Sequence, residues 1–233
     1  MIVLNDLFDY GFKIYQNTDY FKFSLDSILL AEYVKIRPHD RILDLCSGNA
    51  AIPLILCKRN DTICVDGIEI QKPIYLLAIK SIQENKLEDR IKVYNANAAD
   101  ILMPQKYDIV TCNPPYFKVD ATSQKNADEI KCIARHEITI DLEKVIKTAK
   151  NNLKETGSFY LVHRIERLLE TIKLLEQNKF GIRNITFIFT KADKKAEFFL
   201  IEASHYKKSD PKIFSICIEG LKTYKGIFEE ENE

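Results

Sequence analysis

Apolar runs bounded by polar turns recur along the chain at Arg41 to Leu45, Ile63 to Ile70, Ile91 to Tyr94, Tyr107 to Cys112, Ser158 to His163, Asn184 to Phe189 and Glu197 to Ala203. Each has the length and character of a buried strand. Between them, Ala51 to Arg59, Lys72 to Asn85, Leu142 to Leu153 and Arg164 to Asn178 place apolar residues three or four apart, the spacing of a helix with one buried stripe. The alternation predicts an α/β fold, a mostly parallel sheet with helices on both faces, because parallel strands need crossover connections. The two last runs, joined by the short polar turn Lys191 to Lys195, are placed to pair antiparallel. The segment Lys118 to Lys131 is polar and without strong periodicity, so it is expected to be a mobile loop, and the acidic tail Glu229 to Glu233 is expected to fray.

Composition narrows this picture. A chain of 233 residues with 46% hydrophobic and 29% charged side chains has the makings of one sizeable core, and a single domain is expected. No apolar stretch approaches the roughly 20 residues that cross a bilayer. The N-terminal stretch, with Asn5, Asp6 and Asp9, lacks a basic region followed by an apolar run, so no membrane partner is expected and the cytoplasm is the expected compartment. The six cysteines, Cys46, Cys57, Cys64, Cys112, Cys132 and Cys217, form no CxxC pair and no zinc-type spacing with histidine. They are read as reduced and mostly buried, and no metal is expected. Basic and acidic residues balance at 34 each, so any contact with nucleic acid must come from local patches.

Two segments carry chemistry. The first strand ends in Asp44-Leu45-Cys46-Ser47-Gly48-Asn49-Ala50 and an apolar helix follows at once. In a doubly wound sheet, ligands bind beyond the carboxyl ends of the strands, and Gly48 lets backbone approach one closely. The second strand ends in Gly67-Ile68-Glu69, where a carboxylate can accept both ribose hydroxyls of a nucleoside. On these residues alone a nicotinamide cofactor stays open. Asn97 and Asp100, after the third strand, are placed to meet the adenine of the same ligand, although an Asx turn or a helix cap explains them equally well.

The fourth strand delivers Asn113-Pro114-Pro115-Tyr116-Phe117 at its carboxyl end. The prolines stop the strand and hold the Asn113 side chain and the Pro114 carbonyl rigidly. Two acceptors on one side suit an amine with two N–H donors, such as the N6 of adenine. Engaging both shifts the nitrogen lone pair out of conjugation, towards in-line transfer from a sulfonium. No strong base is needed, since the proton can leave after transfer. Tyr116 and Phe117 offer faces for a flipped base, each stacked base contributing roughly 1–3 kcal/mol.

With these motifs the chain resembles the class I S-adenosylmethionine-dependent methyltransferases, specifically the bacterial tRNA(Val) adenine(37)-N6-methyltransferase family. The resemblance rests on residues 21–30, Phe-Lys-Phe-Ser-Leu-Asp-Ser-Ile-Leu-Leu, on Asp44 to Asn49, on Gly67-Ile68-Glu69-Ile70, on Asn113 to Phe117 and on Ala134-Arg135-His136-Glu137. It implies a Rossmann-like, seven-stranded, mostly parallel sheet with an antiparallel last strand. Residues 1–40 then form a segment over the donor site and residues 41–228 the catalytic sheet and helices. The implied donor is S-adenosyl-L-methionine, with Phe23 and Asp26 along its methionine part, Glu69 on its ribose, and Asp44, Ser47, Gly48, Asn49, Ile70, Asn97 and Asn113 completing the seat. Asn113, Pro114, Pro115 and Tyr116 are the implied catalytic residues. The sequence departs from the family pattern at Cys46 and Ala50, where the donor loop often carries glycine, and at Asn97, where an acid often stands.

The implied acceptor is adenine 37 of valine tRNA, with Tyr116, Phe117, Lys118, Lys125, Lys131, Arg135 and His136 as the RNA-binding residues. Rival readings are methylation of a protein glutamine amide, of adenine in DNA or of guanine N2 in RNA. Their families usually carry additional domains that this chain is too short to hold. A non-catalytic RNA-binding module on the same scaffold is the reading from outside enzymology, and the intact Gly48, Glu69 and Asn113 weigh against it.

Overall fold

The computed structural model describes residues 1–17, 25–114, 141–205 and 210–228. A hairpin, β1 (Ile2–Asp6) and β2 (Lys13–Asn17), precedes helix α1 (Leu25–Tyr33). Alternating elements follow: β3 (Arg41–Leu45), α2 (Ala51–Arg59), β4 (Cys64–Glu69), α3 (Lys72–Glu84), β5 (Ile91–Asn95) and β6 (Tyr107–Cys112). The last third holds α4 (Leu142–Asn152), β7 (Leu153–Arg164), α5 (Leu168–Gln177), β8 (Gly181–Phe189), β9 (Phe198–Ser204) and β10 (Lys212–Cys217).

The main sheet has the order β10-β8-β9-β7-β6-β3-β4-β5. Only β9 runs against its neighbours β7 and β8, as the short turn after β8 predicts. The expected seven strands are all present, and the sheet is larger by one. Strand β10 adds in parallel to the outer edge of β8, pairing Lys212 with Asn184 through Cys217 with Phe189. It escapes sequence reading because apolar residues lie on both of its faces: Ile213 is exposed while Phe214 and Ile216 are half-buried. The N-terminal hairpin is likewise absent from the sequence-based expectations.

Alternation along each strand divides the core into two layers. Ile42, Ile109, Tyr160 and Leu200 face the layer of α1, α2 and the hairpin. Their neighbours Leu43, Val110, Phe159 and Ile201 face that of α4 and α5. Helix α4 buries one stripe, Leu142, Val145, Ile146 and Ala149, and starts at Asp141, whose carboxylate accepts the Glu143 N–H at 3.0 Å. Helix α2 buries Ala51 to Cys57 without a break. Its last residue, Arg59, donates to the carbonyls of Ala31 and Val34, satisfying the end of α1.

Because every strand but β9 is parallel, Leu45, Glu69, Asn95 and Cys112 all end at one edge of the sheet. Of the described cysteines, all free, Cys57 and Cys112 are buried, but Cys64 at the start of β4 and Cys217 on the edge strand are exposed, contrary to the expectation of general burial. The loop expected at Lys118 to Lys131 and the tail Glu229 to Glu233 lie outside the described residues. Among those described, no helix is long and apolar enough to cross a membrane.

Candidate donor and acceptor site

After β3 the chain turns through three left-handed residues, Cys46 (φ 61°), Gly48 (φ 58°) and Ala50 (φ 70°), before α2 begins. Only one of them is glycine. For the other two the conformation costs roughly 1–2 kcal/mol each, so the loop's shape is imposed by its surroundings. Those are backbone bonds: Ser47 N–H donates to the Ile68 carbonyl at 2.9 Å, and Ala50 N–H to the Ser47 carbonyl at 3.0 Å. Gly67 makes the approach of loop to β4 feasible, since a Cβ there would lie 2.7 Å from Ser47 Oγ and 3.2 Å from Val93 Cγ2. Beside Gly48, by contrast, a Cβ would meet nothing within 4 Å.

Glu69 stands at the end of β4, only 5% exposed. Its Oε2 accepts the Gly48 N–H at 2.9 Å and its Oε1 the Gln71 N–H at 2.7 Å. Burial raises its pKa, and the N–H groups of Gln71, Gly48 and Ile70 oppose that rise. A carboxylate has about four acceptor positions, and these three N–H groups leave one for a ligand hydroxyl. Asn95 holds the adjoining peptide, donating through Nδ2 to the carbonyls of Glu69 at 2.8 Å and Ile70 at 2.9 Å. Ile70 itself is 38% exposed, an apolar surface next to the carboxylate.

Asp44 lies beneath the loop with no exposed surface, and its Oδ1 accepts the Thr111 hydroxyl at 2.6 Å. Its Oδ2 and the Ser47 Oγ are buried beside each other, with no other partner for either among the described residues. Burial pushes the Asp44 carboxyl up to about 7, the hydroxyls of Thr111 and Ser47 pull it down, and the charge of Glu69 adds to the rise. Buried polar atoms at the base, open space beside Gly48 and an acceptor position left on Glu69 together fit a nucleoside that brings hydroxyls and a cationic group.

Other expected contacts are differently engaged. Asn49 donates through Nδ2 to the Tyr15 carbonyl at 3.1 Å, tying the loop to the hairpin. Asn97 forms an Asx turn: its Oδ1 accepts the Ala99 N–H at 2.9 Å and its Nδ2 donates to Asp100 at 3.2 Å. That turn is one of the two structural readings its sequence allows. Asp26 is 1% exposed, with Oδ1 accepting the Ser27 N–H at 2.8 Å.

The acceptor segment leaves the sheet from the strand next to the donor loop, since β3 and β6 pair Asp44 with Thr111 and Leu45 with Cys112. Cys46 and Asn113 therefore emerge side by side. The thiols of Cys46 and Cys112 are within hydrogen-bonding reach, and burial, more than that contact, pushes the Cys112 thiol well above its ordinary range. Asn113 is half-buried and Pro114 buried. The Asn113 Nδ2 donates to Ser27 Oγ at 2.9 Å, a bond spanning 86 positions. Sequence reasoning assigned no role to Ser27, Thr111 or Asn95; Ser27 stands in a motif segment beside Asp26, which was the available signal. Phe23, Pro115, Tyr116, Phe117, Lys118, Lys125, Lys131, Arg135 and His136 lie outside the described residues.

His163 is buried in β7, stacks on Phe199 and accepts the Arg164 N–H at 2.8 Å; burial lowers its pKa to about 3. Among the described residues no three His, Cys, Asp or Glu side chains converge as a metal site.

The family model described as "Methyltransferase small domain" matches residues 22–187. The chain is 30% identical over 206 residues to a Histophilus somni protein named tRNA1(Val) (adenine(37)-N6)-methyltransferase, covering 84% of this chain and 82% of that one. A Dyadobacter fermentans protein of the same name is 23% identical over 90% of this chain and 88% of its own. Among solved structures, a predicted O-methyltransferase from Agrobacterium tumefaciens shares the fold, with a TM-score of 0.67 at 21% identity over 89% of this chain and 95% of that one.

Proposed function

Because the chain belongs to the methyltransferase small domain family and takes S-adenosylmethionine as its methyl donor, we propose that it methylates the N6 amine of adenine in tRNA, at adenine 37 of valine tRNA. The observation that carries this reading is the emergence of Asn113-Pro114 from the strand adjoining the donor loop. The names of the relatives favour the same acceptor.

In this reading Glu69 accepts a ribose hydroxyl of the donor, Gly48 leaves room for its backbone-facing side, and Ile70 lies against its adenine. Asp44 and Ser47 meet its polar end from below, and Phe23 and Asp26 line its methionine part. When bound, the donor supplies a methyl group on a positively charged sulfur. Asn113 accepts one hydrogen of the target amine through its side-chain oxygen, and the Pro114 carbonyl accepts the other. Together they turn the nitrogen lone pair towards the methyl carbon. Tyr116 and Phe117 stack on the flipped base, while Lys118, Lys125, Lys131, Arg135 and His136 contact the RNA around it.

The test is mass-spectrometric mapping of nucleosides in tRNA from cells with and without the protein, paired with transfer assays on intact valine tRNA, free adenosine and glutamine-bearing peptides. Loss of a single N6-methyladenosine and rapid transfer to the intact tRNA are expected. Transfer only to a protein glutamine, or equal rates on free adenosine, would overturn the substrate assignment.

A further inference from the structure

We propose that Asn95 is a positioning residue of the donor seat: by holding two successive peptide planes from outside, it aims the Glu69 carboxylate and the Ile70 side chain together at the bound nucleoside. The inference rests on the reading of Glu69 and Ile70 as donor contacts and adds to it the residue that sets their geometry.

The chain passes from strand to helix across residues 69–71. Before them, β4 is fixed between β3 and β5; after them, α3 opens with the Ile74 and Tyr75 N–H groups donating to the Gln71 carbonyl at 3.0 and 2.9 Å. What remains free is the tilt of two peptide planes, that between Glu69 and Ile70 and that between Ile70 and Gln71. A trans peptide is planar and sets its C=O and N–H on opposite sides. The N–H sides of these planes, those of Ile70 and Gln71, turn inward to the Glu69 carboxylate, with the Gln71 N–H donating to Oε1 at 2.7 Å. The C=O sides therefore turn outward, and Asn95 Nδ2 donates to both, at 2.8 Å to Glu69 and 2.9 Å to Ile70.

The chemistry leaves the amide one orientation. A carbonyl oxygen can only accept, so Asn95 must present its nitrogen, which carries one hydrogen for each carbonyl. Asn95 stands directly across from Glu69 in the β4–β5 register, on the last strand of the sheet, so the clamp closes between immediate neighbours. The first plane has further support from the Ala96 N–H, which donates to the Glu69 carbonyl at 3.2 Å. The second is held from outside by Asn95. Ile70 joins the two planes, so fixing both fixes its φ and ψ and with them the direction of its exposed side chain. The same planes deliver two of the three N–H groups that settle which lone pair of Glu69 is left for a hydroxyl. Without the clamp, the second plane can rotate, taking the Gln71 N–H off the carboxylate and the isoleucine off the adenine.

Calorimetry with S-adenosylhomocysteine and with 5′-methylthioadenosine, which lacks the amino-acid part, tests this beside steady-state methylation of valine tRNA. Asn95→Ala and Asn95→Asp should each weaken both ligands about tenfold or more, the scale of two lost hydrogen bonds. The Asp variant keeps the shape of asparagine and has no hydrogen to give at neutral pH, so it separates donation from packing. The donor KM should rise by a similar factor, while kcat and the tRNA KM stay within about twofold of the parent. In a Glu69→Ala background the effect of Asn95→Ala should shrink to about threefold or less. Parent-like affinity in the Asp variant would make Asn95 a packing residue and overturn the inference. So would a change in kcat or in the tRNA KM as large as that in donor affinity, which marks general loosening of the fold. Should Glu69→Ala bind both ligands as tightly as the parent, the donor reading beneath the inference falls instead.

Discussion

The donor seat and the acceptor seat adjoin on neighbouring strands but are built from different materials. The donor loop is held by main-chain bonds, from Ser47 to Ile68 and from Ala50 to Ser47, by the Gly48 N–H on the Glu69 carboxylate, and by the close fit over Gly67. Among the described residues, the acceptor amide meets a side chain, Ser27, on a helix 86 positions away. A seat made of backbone tolerates changes of side chain so long as the path of the chain survives, and Cys46 and Ala50 hold left-handed φ angles without being glycine. A seat made of side-chain rotamers has less reserve. Substitutions in the first should therefore act on binding and stability, and substitutions in the second on the chemical step.

The largest expected effect is on stability and lies beneath the donor loop. Burial raises the Asp44 carboxyl from an ordinary 3.8 to about 7. Below about pH 3.8 the group is protonated in folded and unfolded chains alike, and its contribution is fully present. As the pH rises towards 7 the unfolded chain ionises first, and up to about 4 kcal/mol of stability is lost on this group's account. Melting temperatures of Asp44→Asn, followed from pH 4 to 7.5, should show a flatter pH dependence than the parent. An unchanged slope would mean that Asp44 is ionised throughout.

Next comes the acceptor. Asn113→Ala should slow methyl transfer at least about 10²-fold, roughly 3 kcal/mol on the barrier, while calorimetry with S-adenosylhomocysteine finds donor binding nearly constant. A matching loss of donor affinity would erase the contrast between the seats. On the donor side, Glu69→Ala should weaken that same binding by about 1–3 kcal/mol. Gly48→Val should abolish it by filling the open space and forcing a β-branched residue to φ 58°. Donor affinity equal to the parent's in both folded variants would refute the assigned seat.

The same division decides what the sequence discloses. Gly48, Glu69 and Asn113 are legible because each ends a strand in an alternating β-α pattern, where position alone implies a role. Ser27, Asn95 and Thr111 act through hydrogen bonds between distant segments, and such bonds leave no local periodicity. Asn97 reads two ways in sequence because an Asx turn and a ligand contact call for the same side chain, and the 2.9 Å bond from the Ala99 N–H forms the turn. The hairpin is hidden for a related reason: Gln16, a polar residue 4% exposed, interrupts the alternation of β2 that Ile14 begins.

The smallest effect sharpens the contrast most, because opposing contributions nearly cancel. Ala50 has φ 70° at the start of α2 and no exposed surface. Ala50→Gly relieves roughly 1–2 kcal/mol of left-handed strain and supplies a residue better suited to a helix N-cap. Against this, it removes a buried methyl, about 0.8 kcal/mol, and adds about 0.4–1 kcal/mol of freedom to the unfolded chain. The net change should stay within about 1 kcal/mol, or about 2–4 °C in melting temperature for a chain of this size. Gly48→Ala meets the same strain without a compensating contact, since its Cβ would touch nothing within 4 Å, so it should destabilise by about 1–2 kcal/mol. If Ala50→Gly instead costs more than about 2 kcal/mol while Gly48→Ala is silent, the loop owes its shape to packed side chains, and the two seats are built alike.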